Sequence, residues 1–166
     1  MANTDLPNGF KTATGAPYYP PSPWNVAATQ TIRVGDPVYI DAAGRIAIVI
    51  SNSTTDFCGF AASASIAAAV DSRIMVWDNH AQVFEGQCSG NGALADPFTC
   101  VTLTSCFDFT GTTGIFEINE SASSQDLIKV IGVGFDPVTG EESAVGANQR
   151  KRFIINPNHH QLFNPA

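Results

Sequence analysis

Three histidines, His80, His159 and His160, carry the side chain most often used as a general base or metal ligand, but their spacing offers little chemistry. His80 lies in Asp78-Asn79-His80, a turn signal between two strand-like runs, where an imidazole is normally solvated. His159 and His160 are adjacent, so on an extended chain they face opposite sides and cannot grip one metal ion. No His-x-His pair occurs, and the tail histidines are expected at the surface or in an interface. Cys58, Cys88, Cys100 and Cys106 contain no Cys-x-x-Cys spacing. They are expected as reduced thiols that pack as small hydrophobes, not as zinc ligands.

Other chemistry-bearing groups are equally scattered. Glu141-Glu142 falls in a loop signal beside glycine, where solvated charge is the ordinary outcome. Gly132-Val133-Gly134 is a two-glycine fragment on a strand-like run, which suits a bulge or close strand packing better than a phosphate loop. There is no Gly-x-Ser-x-Gly elbow. The charge run Arg150-Lys151-Arg152 has three readings: a small phosphate contact, a strand edge blunted by charge, or a patch that docks on an acidic protein. No catalytic, cofactor-binding or metal-ligating residue is assigned, and an enzyme is not expected.

The elements that would have to position any site are short strands. The chain has 166 residues, enough for one domain with a core of its own. Charged residues make up only 14% and the net charge is −7, which disfavours a nucleic-acid partner and leaves surface for protein contacts. No run reaches the roughly 18 apolar residues of a membrane helix. The first residues lack the basic and apolar regions of a secretory signal, so synthesis in a reducing cytoplasm is expected.

β-branched and apolar runs recur between turn signals. They predict strands near 30–34, 38–40, 46–50, 57–62, 72–77, 81–86, 99–103, 114–118, 127–133 and 152–155. The stretch 61–70 is ambiguous between helix, strand and buried loop. The fold class expected is mainly β: a small β-barrel or sandwich-like body with extended N-terminal and C-terminal arms. The arm is 1–29, the body 30–156 and the tail 157–166. Within the arm, Pro17, Pro20, Pro21 and Pro23 alternate with Tyr18, Tyr19 and Trp24, a composition that suits an extended, docked anchor. Removing 1–24 is expected to leave 30–156 folded.

Several stretches in order resemble one family. The opening Asn3-Thr4-Asp5-Leu6-Pro7-Asn8-Gly9-Phe10 resembles the start of small capsid-associated proteins of tailed bacteriophages, and Val34-Gly35-Asp36-Pro37-Val38 resembles their first barrel turn. Val83-Phe84-Glu85 is similar to one of their strands. Gly146-Ala147-Asn148, Phe153-Ile154-Ile155-Asn156 and His160-Gln161-Leu162 are similar to their close. The chain departs from that pattern at 17–24 and at Pro157-Asn158-His159.

The resemblance to capsid decoration or cement proteins implies a β-barrel-like body on the outer face of the head. It implies assembly as a homo-oligomer, a trimer by preference, and the major capsid protein as partner. It implies no catalysis, no cofactor, and neither a nucleic-acid nor a membrane partner. The expected location is the virion exterior after synthesis in the host cytoplasm. Candidate capsid or subunit contacts are Tyr18, Tyr19, Trp24, Arg150, Lys151, Arg152 and Phe163. The alternative is a virion-surface module that recognises a cell-surface glycan or receptor. Thiol titration of the denatured protein without reductant should count all four cysteines, and elemental analysis should find no zinc; fewer thiols would mean that a bridge or a metal joins them.

Overall fold

A computed structural model describes residues 9–49, 57–65, 72–89, 106–119, 127–144 and 146–162. The body is mainly β and sandwich-like, as the alternating runs predict. Eleven strands are present among the described residues: β1 (Lys11–Thr12), β2 (Ser22–Asn25), β3 (Pro37–Ile40), β4 (Ile46–Ile48), β5 (Gly59–Ala61), β6 (Arg73–Trp77), β7 (Phe84–Gln87), β8 (Cys106–Thr110), β9 (Glu117–Asn119), β10 (Ile128–Val133) and β11 (Arg150–Ile155). A single 3-10 turn, Pro157–His159, follows β11.

They form a six-stranded sheet in the order β1-β7-β11-β10-β8-β9 and a five-stranded sheet in the order β2-β6-β5-β3-β4. All named pairings are antiparallel. Both sheets curl until their ends meet. Just past β2, Val26 bridges Ile46 of β4, and just past β7, Cys88 bridges Ile118 of β9. Both closing bridges are parallel, and they must be. Five antiparallel neighbours alternate in direction, so the first and the fifth point the same way. The far edge of β7 is thereby shared: β1 pairs with Phe84 and Glu85, and β9 meets Cys88. β10 carries a register shift between Val130 and Gly132, the irregularity that the two glycines suggested, and a bulge there increases local twist.

Two apolar clusters fill this frame. One, with Val26, Ile32, Val38, Ile46, Cys58, Ala61, Ile74 and Val76, belongs to the five-stranded sheet. The other joins the sheets. It combines Phe57 and Phe60 with Phe84, Cys88, Phe116, Ile118, Ile128, Phe153 and Ile155 of the six-stranded side, and Phe10 from before β1. Ring centroids lie 5.0 Å apart for Phe10–Phe60 and 4.6 Å apart for Phe60–Phe84, both edge-to-face. Gly86 makes room for this cluster, because a Cβ there would enter the Phe10 ring. Gly35 does the same from the other side. It takes φ +88°, and a Cβ on it would sit 2.6 Å from the Phe10 carbonyl oxygen. The Phe10 N–H donates to the Gly35 carbonyl at 3.0 Å.

The expected boundary between an arm at 1–29 and a body from 30 is therefore corrected for residues 9–29. They supply Phe10 to the core, β1 to one sheet and β2 to the other. Pro23 fits β2 because that strand pairs only with β6, so its missing N–H costs no ladder bond on the far side. Residues 1–8 and 163–166 lie outside the described residues, as does the run expected at 99–103. The 30–34 run is not a named strand; its Ile32 forms one bridge with Ser65.

The turn before β3 is fastened from a distance. Asp36 is buried, and its carboxylate accepts from Arg33 N at 2.8 Å and from Gly114 N at 2.7 Å. Burial raises its pKa, and these two backbone donors pull it back. Phe10→Ala should lower stability by about 3–5 kcal/mol, as for other fully buried phenylalanines. Urea denaturation would register this as an earlier midpoint, and deletion of residues 1–24 should abolish the cooperative melt that the sequence led one to expect from 30–156.

Candidate functional site

β11 runs between β7 and β10, so the charge run at its start is not an edge. Strand alternation sends Arg150 and Arg152 to one face and Lys151 to the face that carries Phe153 and Ile155. Arg150 and Lys151 are each only 1% exposed. Three consecutive cations read in sequence as surface charge, but β11 is internal to its sheet and two of the three side chains are buried in the folded chain. Burial depresses the Arg150 pKa, and the charges of Glu85 and Asp136 oppose that shift. The Arg150 N–H donates to Ser143 Oγ at 2.9 Å. Among the described residues, Lys151 Nζ is buried without a hydrogen-bond partner, and so are both side-chain polar atoms of Gln149.

Arg152 is the member of the run that reaches outward. Its Nε stands 3.8 Å from Glu85 Oε2, and one terminal nitrogen donates to the Thr14 carbonyl at 2.8 Å. Its guanidinium carbon lies 4.7 Å above the centre of the Phe135 ring. Glu85 Oε2 also accepts from Phe135 N at 3.3 Å. Arg152 and Glu85 thereby tie the start of the chain and the turn 135–140 to the sheet. The turn itself is an Asx structure, with Asp136 Oδ1 accepting from Val138 N at 2.8 Å and Thr139 N at 3.0 Å. A cleft of about 420 Å³ lies here, walled by Lys11, Thr14, Glu85, Phe135 and Asp136. Val138 stands 71% exposed on the same turn, and Phe135 is also exposed.

The aromatic stretch divides. Tyr18 is 64% exposed. Tyr19 is half-buried, and its N–H donates to Gln82 Oε1 at 2.9 Å while Gln82 Nε2 donates to the Pro17 carbonyl at 3.2 Å. The buried Gln82 amide therefore clamps the backbone and leaves Tyr18 outward. Trp24 packs against the five-stranded cluster, and its indole N–H donates to Asp78 Oδ2 at 3.0 Å. Ser22 Oγ binds the other oxygen of Asp78 at 3.1 Å. Trp24 is thus a structural residue of β2 as well as a candidate contact. Phe163 lies outside the described residues.

The histidines meet in a place the sequence concealed. The rings of His80 and His160 lie 6.1 Å apart, beside a pocket of about 260 Å³ that also involves Asp78, Asn79 and Leu162. His160, expected at the surface or in an interface, is buried within the folded chain, where its backbone bridges Phe57. Desolvation lowers its pKa, the nearby His80 lowers it further, and Asp78 opposes both. No three His, Cys, Asp or Glu side chains among the described residues are grouped so as to hold a metal ion. Cys58 and Cys88 are buried and outside any disulfide, and burial raises the pKa of Cys58 strongly.

No protein-family model matches the sequence, and no curated protein matches it. Of the candidate contacts, Arg150 and Lys151 are buried, Trp24 is half-buried and bonded to Asp78, and Tyr18 is exposed; Phe135 and Val138, which the sequence did not single out, are exposed as well. Lys151→Met should be neutral or stabilising by about 1 kcal/mol or more, because it removes a buried polar group without a partner and keeps the chain length. A thermal or urea melt decides it, and a clear loss of stability would mean that the ammonium has a partner in the folded protein.

Proposed function

We propose that this chain is a structural virion protein that binds the outside of a tailed-phage capsid and stabilises contacts between major capsid subunits. The observation that carries the reading is that the family-like pieces, far apart in sequence, pack on one another. Phe10 of the opening bonds to Gly35 of the Gly-Asp-Pro turn at 3.0 Å and lies 5.3 Å from Phe153 of the close. Phe84 of Val-Phe-Glu stacks on the same Phe153 at 5.9 Å. Gln161 of the close binds both the N–H and the carbonyl of Ile40, which follows the turn. That these pieces form one packed unit supports reading them together.

In this role the mechanism is binding free energy rather than chemistry. A shell under internal pressure fails where subunits separate, and a protein that spans subunits raises the cost of separation at every equivalent position. The chain would act as a homo-oligomer, with a trimer suited to local three-fold positions, and would need no cofactor. The contact residues are best sought among Tyr18, Phe135 and Val138, whose apolar surface is open, while the Arg152–Glu85 pair holds the turn beneath them.

The test is decoration of purified expanded heads. Tyr18→Ala should fold with an unchanged melt and bind about thirtyfold more weakly, the loss of an anchor worth ~2 kcal/mol. Trp24→Ala should instead lower stability as well, since it abandons the Asp78 carboxylate. If the parent protein fails to bind heads of its own phage, or if a glycan array captures it while heads do not, the capsid reading is wrong.

A further inference from the structure

The segment 156–162 lies as a strap across the five-stranded sheet. Asn156 Oδ1 accepts from Asn158 N at 3.2 Å and starts the 3-10 turn. His160 then forms a parallel bridge with Phe57, and Gln161 N–H donates to the Phe57 carbonyl at 3.1 Å. The Gln161 amide binds Ile40 on both sides, accepting from its N–H at 2.6 Å and donating to its carbonyl at 3.1 Å. That amide does for Ile40 what a neighbouring strand would do.

The strap is fastened through a histidine in one protonation state. His160 is 1% exposed, and its Nδ1 accepts from the Leu162 N–H at 3.3 Å. An imidazole that accepts at Nδ1 is neutral and carries its hydrogen on Nε2. Protonation would place a second hydrogen on Nδ1, so that donor would face donor across the Leu162 contact. The added charge would also be buried beside His80. Asp78 is the one anion that faces the ring among the groups acting on it, and both of its oxygens are already engaged by Ser22 and Trp24. The Cys58 thiol on the strand side is neutral. Among the described residues no hydrogen bond to Nε2 is formed, and the Asp78 backbone carbonyl, which favours the proton, is outweighed by burial.

We propose that segment 156–162 is an acid-released strap, docked while His160 is neutral and freed when the ring takes up a proton. The sign follows from the folded ring titrating below its ordinary value of 6.5. Above that pH neither the docked nor the released state holds the extra proton, and docking is at full strength. As pH falls below 6.5 the released state protonates first, so docking weakens until the docked ring titrates too. Release would uncover the Phe57 carbonyl and the backbone of Ile40, a short strand edge open to another chain.

The experiment is amide exchange by NMR on the full chain, expressed as protection factors at about pH 7.5 and about pH 5. Protection at Gln161 and Leu162 should fall by up to about tenfold for each pH unit below 6.5, relative to Cys58, whose N–H is bonded inside the body to Val38. The His160 ring should titrate below 6.5, with its midpoint where the loss at Gln161 levels off. His80→Gln should move that midpoint upward by removing a like charge. His160→Gln should show no pH dependence at Gln161 beyond that of Cys58. A ring titrating at or above 6.5, constant Gln161 protection in the parent protein, or an undiminished pH response in His160→Gln would each overturn the proposal.

Discussion

Phe60 belongs to the five-stranded sheet, yet its ring is surrounded by groups from elsewhere: Phe10, Phe57, Phe84 and Phe153 all lie edge-on within 5.8 Å between centroids. The rest of the body depends on this packing. Each sheet is closed by a parallel bridge, and the two pack on one another as a sandwich-like body. Contact between them is made by large rings that reach across, and edge-to-face pairs add about 0.5–1.5 kcal/mol each beyond the area they bury. Gly35 and Gly86 are glycines for the same reason, since both yield the space that Phe10 fills.

The second constraint is the disposal of charge. The chain has few charged residues, and among the described residues Asp36, Glu85, Asp136, Arg150 and Lys151 lie inside. Asp36 fixes the turn before β3 to Gly114, and Glu85 and Arg152 fix the turn 135–140 and Thr14 to the sheet. Asp78 holds β2 through Trp24 and Ser22. These groups join segments that are distant in sequence, where backbone pairing alone would leave loops loose. Buried charges of this kind add less to stability than apolar packing would, but they have strict geometric demands and therefore select one arrangement of the loops. The consequence for function is a division between an anchored interior and an exposed set of apolar side chains at Tyr18, Phe135 and Val138.

A similar logic governs the strap at 156–162. Among the described residues its hold on the sheet is polar and local, through Gln161 and the His160 bridge, without an apolar aromatic insertion like that of Phe10. The two ends of the described chain are thus fastened differently: one by burial that is indifferent to pH over the ordinary range, the other through a titratable ring. A protein that must stay folded while one surface segment changes state needs such a difference in how its parts are held.

Much of the body was legible in the residues themselves. Arg73–Trp77 alternates exposed and buried side chains as its sequence alternates, and Gly35-Asp36-Pro37 opens β3 at the proline as the turn chemistry requires. Ile46–Ile48 and Ile128–Val133 were likewise set by local apolar pattern. What local pattern could not determine was the identity of neighbours. Prolines around Trp24 spoke for an arm, yet Ser22–Asn25 pairs with β6, a partner some fifty residues on. The charges at 150–152 spoke for a surface, yet β11 is internal to its sheet and Arg150 and Lys151 are buried. His80 and His160 became neighbours only because one ends the turn after β6 and the other crosses the same sheet. Side-chain type and period act within a few residues and so fix the strands. Burial, pairing and the meeting of titratable groups arise from contacts between distant segments, and those exist only once the sheets have closed.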